Sequence, residues 1–95
     1  MQNGKQLAIA VGVPPKRFVY VLESLADPGR PYVALTGDVR ERLDAHNAGK
    51  SVHTARHKPW RLVAAIECAN EATAIRFERY LKSGSGRAFA KRHFG

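Results

Sequence analysis

Residues 18–36 read FVYVLESLADPGRPYVALT, and this stretch decides the fold. Two apolar runs, at 17–24 and 31–36, flank a turn cluster of Ala, Asp, Pro, Gly and Arg. Because the connection is short, the runs are predicted to pair as an antiparallel hairpin. In the first run Phe18, Tyr20 and Leu22 alternate with Val19 and Val21, so both faces of that strand are apolar. The first strand is therefore expected to be buried on two sides.

The residues after the hairpin predict three helices and one more strand. The first helix is capped by Asp38 and ends at about Asn47, where the sequence continues Ala-Gly. A basic loop over 50–59 leads to a third strand over 60–68. Asn70 caps a second helix that continues to about Lys82. The sequence Ser-Gly-Ser-Gly at 83–86 is expected to break that helix, and a short basic helix is predicted over 87–93.

This order, β-β-α-β-α-α, predicts an α+β fold in which a small three-stranded antiparallel sheet is flanked by helices. Residues 16–95 are expected to form one domain, and residues 1–15 a flexible N-terminal arm that ends in two prolines. No repeat or low-complexity segment divides the chain.

The charge balance indicates the class of partner. The 95 residues carry 16 Lys and Arg against 8 Asp and Glu, a net charge of +8, and such a field on a small domain favours a polyanion. A soluble protein with incidental basic charge is the alternative. The single cysteine, Cys68, excludes an internal disulfide and a cysteine-rich zinc site. No apolar run is long enough to cross a membrane, and the N-terminal residues do not form a signal peptide, so we expect a cytoplasmic protein.

Two polar residues in the first helix fall where the helical period predicts core-facing positions. Val39 and Leu43 define the inward stripe, and Arg42 and His46 share one edge of it. A buried charge costs several kcal/mol, roughly, unless it is paired or binds a ligand. An Arg42 side chain that reaches solvent and a His46 satisfied at the helix end remain the alternative explanation.

Glu78 poses the same question in the second helix. It lies inside the apolar stripe of Ala74, Phe77 and Leu81, away from the helix start. One explanation is an ion pair with a neighbouring Arg or Lys, such as Arg79 or Lys82. The other is a role as a ligand of a divalent ion, with Mg²⁺ or Mn²⁺ the natural choice because such ions take few protein oxygens.

The remaining polar candidates are weaker when taken alone. Strand tyrosines such as Tyr20 and Tyr32 are most often packing residues with a hydroxyl at the edge. Thr54 and its basic neighbours in the 50–59 loop are expected to form a solvated loop that contacts phosphate. The candidates for backbone phosphate contacts across the whole chain are Arg30, Lys50, Arg56, Lys58, Lys82, Arg87, Lys91 and Arg92.

Taken together, these residues resemble the GIY-YIG endonuclease superfamily, in particular its small single-domain bacterial members. The first signature tripeptide corresponds to Phe18-Val19-Tyr20 and the second to Tyr32-Val33-Ala34. The helix pattern after the second signature corresponds to residues 36–47, and the later part of the pattern to Thr54, to residues 59–63 and to residues 74–82.

The resemblance implies a role for each of five residues. Tyr20 would assist or perform proton abstraction from the attacking water, and Tyr32 would orient water or phosphate. Arg42 would steady charge on the scissile phosphate, and His46 would support the site or take part in proton transfer. Glu78 would be the single acidic ligand of the divalent metal.

The resemblance also implies the activity. We expect a divalent-metal-dependent endonuclease that hydrolyses phosphodiester bonds, in DNA rather than RNA, with a structure-specific role in DNA repair or recombination. A domain this small has little surface for sequence readout, so specificity is expected to come from substrate shape or a protein partner. The alternative is a nucleic-acid-binding module with the same fold and little or no catalysis. Ala34, where the family has glycine, favours that alternative.

Overall fold

The computed structural model describes residues 15–95, and its secondary structure follows the predicted order. The predicted 1–15 arm lies, apart from residue 15, outside the described residues. The α+β architecture is confirmed. Its elements are β1 (Phe18–Ser24), β2 (Pro31–Thr36), α1 (Val39–Asn47), a 3₁₀ turn (Ala55–His57), β3 (Trp60–Glu67), α2 (Glu71–Lys82) and α3 (Gly84–His93).

Strand β1 lies at the centre of the sheet. The strand order is β2-β1-β3, and both neighbours pair with β1 in the antiparallel sense. In the β1–β2 register Tyr20 lies opposite Ala34, and Leu22 lies opposite Tyr32. Because β1 has a strand on each side and a packed layer on each face, its central residues are buried, as predicted.

The alternation along β1 divides the core into two halves. Val19 and Val21 point to the face covered by α2 and α3, where Ala74 and Leu81 complete a buried cluster. Tyr20 and Leu22 point to the opposite face, where they pack with Trp60 and with apolar residues of β2 and α1. Helix α1 therefore covers one face of the sheet, and α2 and α3 cover the other.

Three helix ends follow directly from local sequence. Asp38 caps α1 by accepting from the Glu41 N–H, and Asn70 caps α2 by accepting from the Thr73 N–H. After α1, Gly49 has a φ of 77°, a conformation that glycine adopts without steric cost and that ends the helix.

The start of α3 differs from the prediction. The helix begins at Gly84 rather than at residue 87, because the Ser83 hydroxyl accepts from the Gly86 N–H and caps it. Gly86 is buried, and a Cβ at that position would lie 1.7 Å from the Tyr80 carbonyl oxygen. Gly86 thus permits close packing between the end of α2 and the start of α3, and the segment is not an open loop.

Smaller differences occur at the strand ends. Strand β1 begins one residue later than predicted, and β3 ends one residue earlier. Cys68 is buried, with a free thiol. In the described part of the chain, no helix is both long enough and apolar enough to cross a membrane.

Candidate active site

The sheet face under α1 carries an open cleft of about 500 Å³. Its walls come from β1 and the residue before it, from most of β2, from the loop between β2 and α1, and from the first turns of α1. The lining residues are Lys16, Tyr20, Tyr32, Ala34, Leu35, Thr36, Gly37, Asp38, Glu41 and Arg42. Three of the five predicted site residues, Tyr20, Tyr32 and Arg42, therefore line one cleft.

His46 packs against both tyrosines. The Tyr20 and Tyr32 ring centroids are 6.3 Å apart, and the His46 ring lies 5.9 Å from the first and 5.0 Å from the second. The pairing register places Tyr20 and Tyr32 on the same face of the sheet, and α1 brings His46 onto that face from above. The fold thus brings Tyr20, Tyr32 and His46 together in one cluster of three rings.

A hydrogen bond links Tyr20 to His46. The Tyr20 hydroxyl oxygen lies 2.9 Å from His46 Nε2, and His46 Nδ1 lies 2.7 Å from the Thr54 hydroxyl oxygen. Both ring nitrogens of this fully buried histidine are therefore paired. Burial, reinforced by the nearby Arg42 charge, lowers the pKa of His46 below its ordinary value of 6.5, so the ring is neutral at neutral pH.

Tyr20 keeps its proton in the free protein. Burial raises the pKa of Tyr20 above its ordinary value of 10.0 and outweighs the opposing effect of the Arg42 guanidinium. Tyr20 is only 1% exposed although it reaches the cleft. The phenol, rather than the phenolate, is thus the resting form.

Arg42 supplies the positive charge of the cleft. It lies half-buried on α1 and borders the same cleft as both tyrosines. Within residues 15–95, none of the four ion pairs includes Arg42. Its guanidinium is therefore available to an anion that enters the cleft, and its planar fork of donors suits a phosphate.

Thr54 corrects one sequence-based expectation. It was expected to lie with its basic neighbours in a solvated, phosphate-contacting loop, but its side chain is fully buried against His46. Sequence reasoning missed it as a site residue because the loop around it is strongly polar. The available signal was His46 itself, since a core-facing histidine needs a partner for each ring nitrogen.

Glu78 lies apart from the cleft. Its helix, α2, packs on the opposite face of the sheet through Ala74 and Leu81, and Glu78 is not among the cleft-lining residues. The carboxylate, with a side chain 16% exposed, pairs with the Lys82 ammonium one turn later. This is the ion pair that the sequence left open as an alternative.

The fit of Glu78 to a divalent ion rests on its chemistry. Within residues 15–95 no group of three or more His, Cys, Asp and Glu side chains could hold a metal. A hard ion such as Mg²⁺ takes one or two carboxylates and completes its shell with water and substrate phosphate. A mostly buried carboxylate that already holds a lysine cation meets that requirement.

The predicted phosphate-contacting residues fall into separate groups. Lys50, Arg56 and Lys58, here named the loop cations, are exposed in the segment that carries Thr54. Arg87, Lys91 and Arg92, here named the α3 cations, are exposed on the helix that packs on the other face. Arg30 and Lys82 are instead engaged with Asp27 and Glu78.

Comparison with known proteins places the fold and cleft in a family. The family model of the GIY-YIG catalytic domain matches residues 16–92, which include the whole cleft. The chain belongs to the GIY-YIG family. The resemblance inferred from the ordered set of residues in the sequence is thereby confirmed. This assigns the chain to a nuclease-type superfamily whose substrate is nucleic acid.

A curated relative supports the same assignment. This GIY-YIG domain is 37% identical over 68 residues to a UPF0213 protein of Streptococcus pneumoniae serotype 4 (strain ATCC BAA-334 / TIGR4). The match covers 70% of this chain and 67% of that protein. No solved structure matches the chain.

Proposed function

We propose that this GIY-YIG domain is a divalent-metal-dependent endonuclease that hydrolyses phosphodiester bonds in DNA. The observation that carries the proposal is the Tyr20–His46 hydrogen bond in a cleft that also presents Tyr32 and Arg42. A packing role explains a strand tyrosine, but it does not explain a buried tyrosine–histidine pair beside an arginine that has no carboxylate partner among residues 15–95.

The cleft residues divide the chemical work by their charge and protonation. Hydrolysis of a phosphodiester builds negative charge on the phosphate oxygens, and a fixed cation stabilises that charge most effectively in a partly dry site. Arg42 supplies the cation. Tyr32 orients the phosphate or the attacking water, and Tyr20 exchanges a proton with the reacting groups. His46 is neutral and holds the Tyr20 hydroxyl in place.

Glu78 is the proposed ligand of the metal, Mg²⁺ or Mn²⁺. Its carboxylate is the one acidic group expected from the family pattern, and it must release Lys82 to take the ion. When bound, the ion would supply Lewis-acid stabilisation to a phosphate that contacts it. The chain itself contributes the Glu78 carboxylate as a negatively charged oxygen ligand.

The basic groups are proposed to hold the nucleic acid. The loop cations lie in the segment that borders His46, so they would contact the strand that enters the cleft. Arg30, Lys82 and the α3 cations would add contacts to backbone phosphates elsewhere. Such contacts carry no sequence information, so we propose that substrate shape or a protein partner sets specificity, as in a role in DNA repair or recombination.

One observation favours a second candidate, a nucleic-acid-binding module with little catalysis. Ala34 lies opposite Tyr20 in the sheet register and lines the cleft, where the family pattern has glycine. Its methyl group occupies space beside the tyrosine that a glycine would leave open to substrate. Binding without cleavage would be the result.

A cleavage assay separates the two candidates. Labelled single-stranded, duplex, flap and junction DNA, with a matched duplex RNA, are incubated with the protein with and without Mg²⁺ or Mn²⁺. If the protein is an endonuclease, we expect cleavage to require the ion. Cleavage should be lost in Glu78→Gln, while circular dichroism shows that this variant remains folded. Binding of these DNAs with no cleavage under any condition selects the module.

A further inference from the structure

Thr54 places a fully buried hydroxyl in contact with His46. Its Oγ1 lies 2.7 Å from His46 Nδ1, and its side chain is shielded from solvent. Among the described residues, His46 Nδ1 is the only hydrogen-bond partner of this hydroxyl. The direction of that single hydrogen bond therefore fixes the proton on His46.

The donor count decides the direction. If Nδ1 donated to Thr54, the Thr54 O–H would be a buried donor without an acceptor, which costs roughly 1–3 kcal/mol. If Thr54 donates to Nδ1, only a spare lone pair on its oxygen remains unused, which proteins tolerate more readily. The second arrangement leaves the proton of a neutral His46 on Nε2, facing the Tyr20 hydroxyl oxygen.

We infer that Thr54 is a positioning residue that holds His46 in the Nε2–H form, so that His46 donates its hydrogen bond to the Tyr20 oxygen. The Tyr20 oxygen is then the acceptor, and its own proton is free to point to a group in the cleft. Tyr20 thus begins the reaction as a hydroxyl donor to an oxygen of the phosphate, not as the acceptor of the water proton.

Hydrogen bonds that involve Trp60 and Asn47 keep Thr54 in place. The Trp60 indole Nε1–H donates to the Thr54 carbonyl at 2.9 Å. The Asn47 side chain donates to the Trp60 carbonyl at 3.0 Å and accepts from the Trp60 N–H at 2.6 Å. Asn47 follows His46 directly, so these hydrogen bonds connect Thr54 to the neighbour of the residue that it orients.

The position of the proton on His46 follows from this geometry, whereas the role of Tyr20 in the reaction rests on the proposed nuclease function. Imidazole ¹H–¹⁵N correlation spectra of the full chain at neutral pH test the first, because they distinguish the protonated ring nitrogen from the free one. The His46 signals are assigned by their loss in His46→Gln. A proton on Nε2, retained in Thr54→Ser, is expected. A proton on Nδ1 overturns the inference.

Cleavage kinetics test the positioning role. Thr54→Val removes the hydroxyl at nearly constant volume, and we expect kcat to fall roughly 10- to 100-fold with KM unchanged, as when an orienting partner of a functional histidine is lost. Thr54→Ser restores the hydroxyl and is expected to recover activity. A Thr54→Val variant that cleaves at the wild-type rate contradicts the role. If the wild-type protein cleaves nothing, the proposed function fails, while the spectra still decide the state of His46.

Discussion

Glu78 and Lys82 form an ion pair one turn apart in α2, the helix that packs on the opposite sheet face from Tyr20. The proposed function makes Glu78 the ligand of the metal, and in this structure the carboxylate pairs with a lysine. Metal binding and this ion pair therefore compete for one carboxylate.

Removing Lys82 is expected to favour the metal. An ion pair whose lysine is exposed to solvent is worth about 0.2–1 kcal/mol, so Lys82→Ala should lower the Mg²⁺ concentration for half-maximal cleavage by up to about fivefold. The assay uses saturating DNA, so that a lost phosphate contact does not enter the result. Arg79→Ala removes an equal charge from an exposed position of the same helix and is the matched control. An unchanged or raised Mg²⁺ requirement in Lys82→Ala would argue that Glu78 is not the ligand.

The position of Glu78 also marks a limit of what the sequence could predict. Helical periodicity correctly identified Glu78 as a polar residue in an apolar stripe, and it named Lys82 as a partner. Periodicity assigns a residue to a face of its own helix, but the sheet decides which helix covers which face. The long-range pairing of three strands sets that arrangement, and no local pattern encodes it.

His46 should make stability depend on pH between neutrality and pH 4.5. Because burial lowers its pKa, His46 binds a proton more weakly in the folded chain than in the unfolded one, so acid favours unfolding. Its contribution to stability is full above pH 6.5 and is lost as the pH falls through the folded-state pKa. Glu23, whose pKa is held below 4.5 by the Gly29 N–H and Arg61, keeps its full contribution to stability above pH 4.5 and loses it only as the pH falls below that value.

Urea unfolding from pH 7.5 to pH 4.5 measures this effect. The free energy of unfolding of the wild-type protein should fall across that range, and His46→Gln should flatten the curve. His53→Gln, which changes an exposed histidine in the loop after α1, is the control and should retain the wild-type slope. Equal slopes in wild type and His46→Gln would mean that His46 is not a buried neutral group.

Gly86 is expected to be intolerant of substitution. A Cβ at this position meets the Tyr80 carbonyl at 1.7 Å and the Leu81 Cα at 2.6 Å, so Gly86→Ala must displace the start of α3. We expect a loss of about 3 kcal/mol or more in the free energy of unfolding, as for severe overpacking. Gly84→Ala meets no atom within 4 Å and is expected to be neutral or slightly stabilising. Similar stabilities for the two variants, by thermal or urea unfolding, would contradict this account of the α2–α3 junction.

Sequence analysis was wrong for the same reason at two places, the glycines at 84 and 86 and the loop around Thr54. Composition indicated a break at residues 83–86 and a solvated loop at 50–59. In the first, close approach of two helices requires glycine; in the second, a histidine from another element requires a hydroxyl. By contrast, the β2 bounds and the Asp38 and Asn70 caps were correct, because turn residues and caps act over a few neighbouring positions.

The two groups of cations should differ in their effect on cleavage. Replacing the three loop cations by alanine should raise KM and reduce the slope of log K against log salt by about 2–3, if each contacts one phosphate. Replacing the three α3 cations removes the same charge from the other sheet face. That variant should bind DNA more weakly but cleave saturating substrate at the wild-type single-turnover rate. A lower single-turnover rate for the α3 variant, or an unchanged salt slope for the loop variant, would contradict the proposal that the loop cations contact the strand that enters the cleft.

The central claim is that the Tyr20–His46–Arg42 cleft hydrolyses phosphodiester bonds, and single-turnover cleavage by Arg42→Ala tests it most directly. Arg40→Ala is the control, since Arg40 is exposed on the same helix and does not line the cleft. With labelled branched and duplex DNA and Mg²⁺, we predict that Arg42→Ala folds and binds DNA but loses cleavage by at least about 100-fold, the typical cost of removing one charge-stabilising donor. Arg40→Ala should cleave like the wild-type protein. Cleavage by Arg42→Ala at the rate of Arg40→Ala would contradict the account.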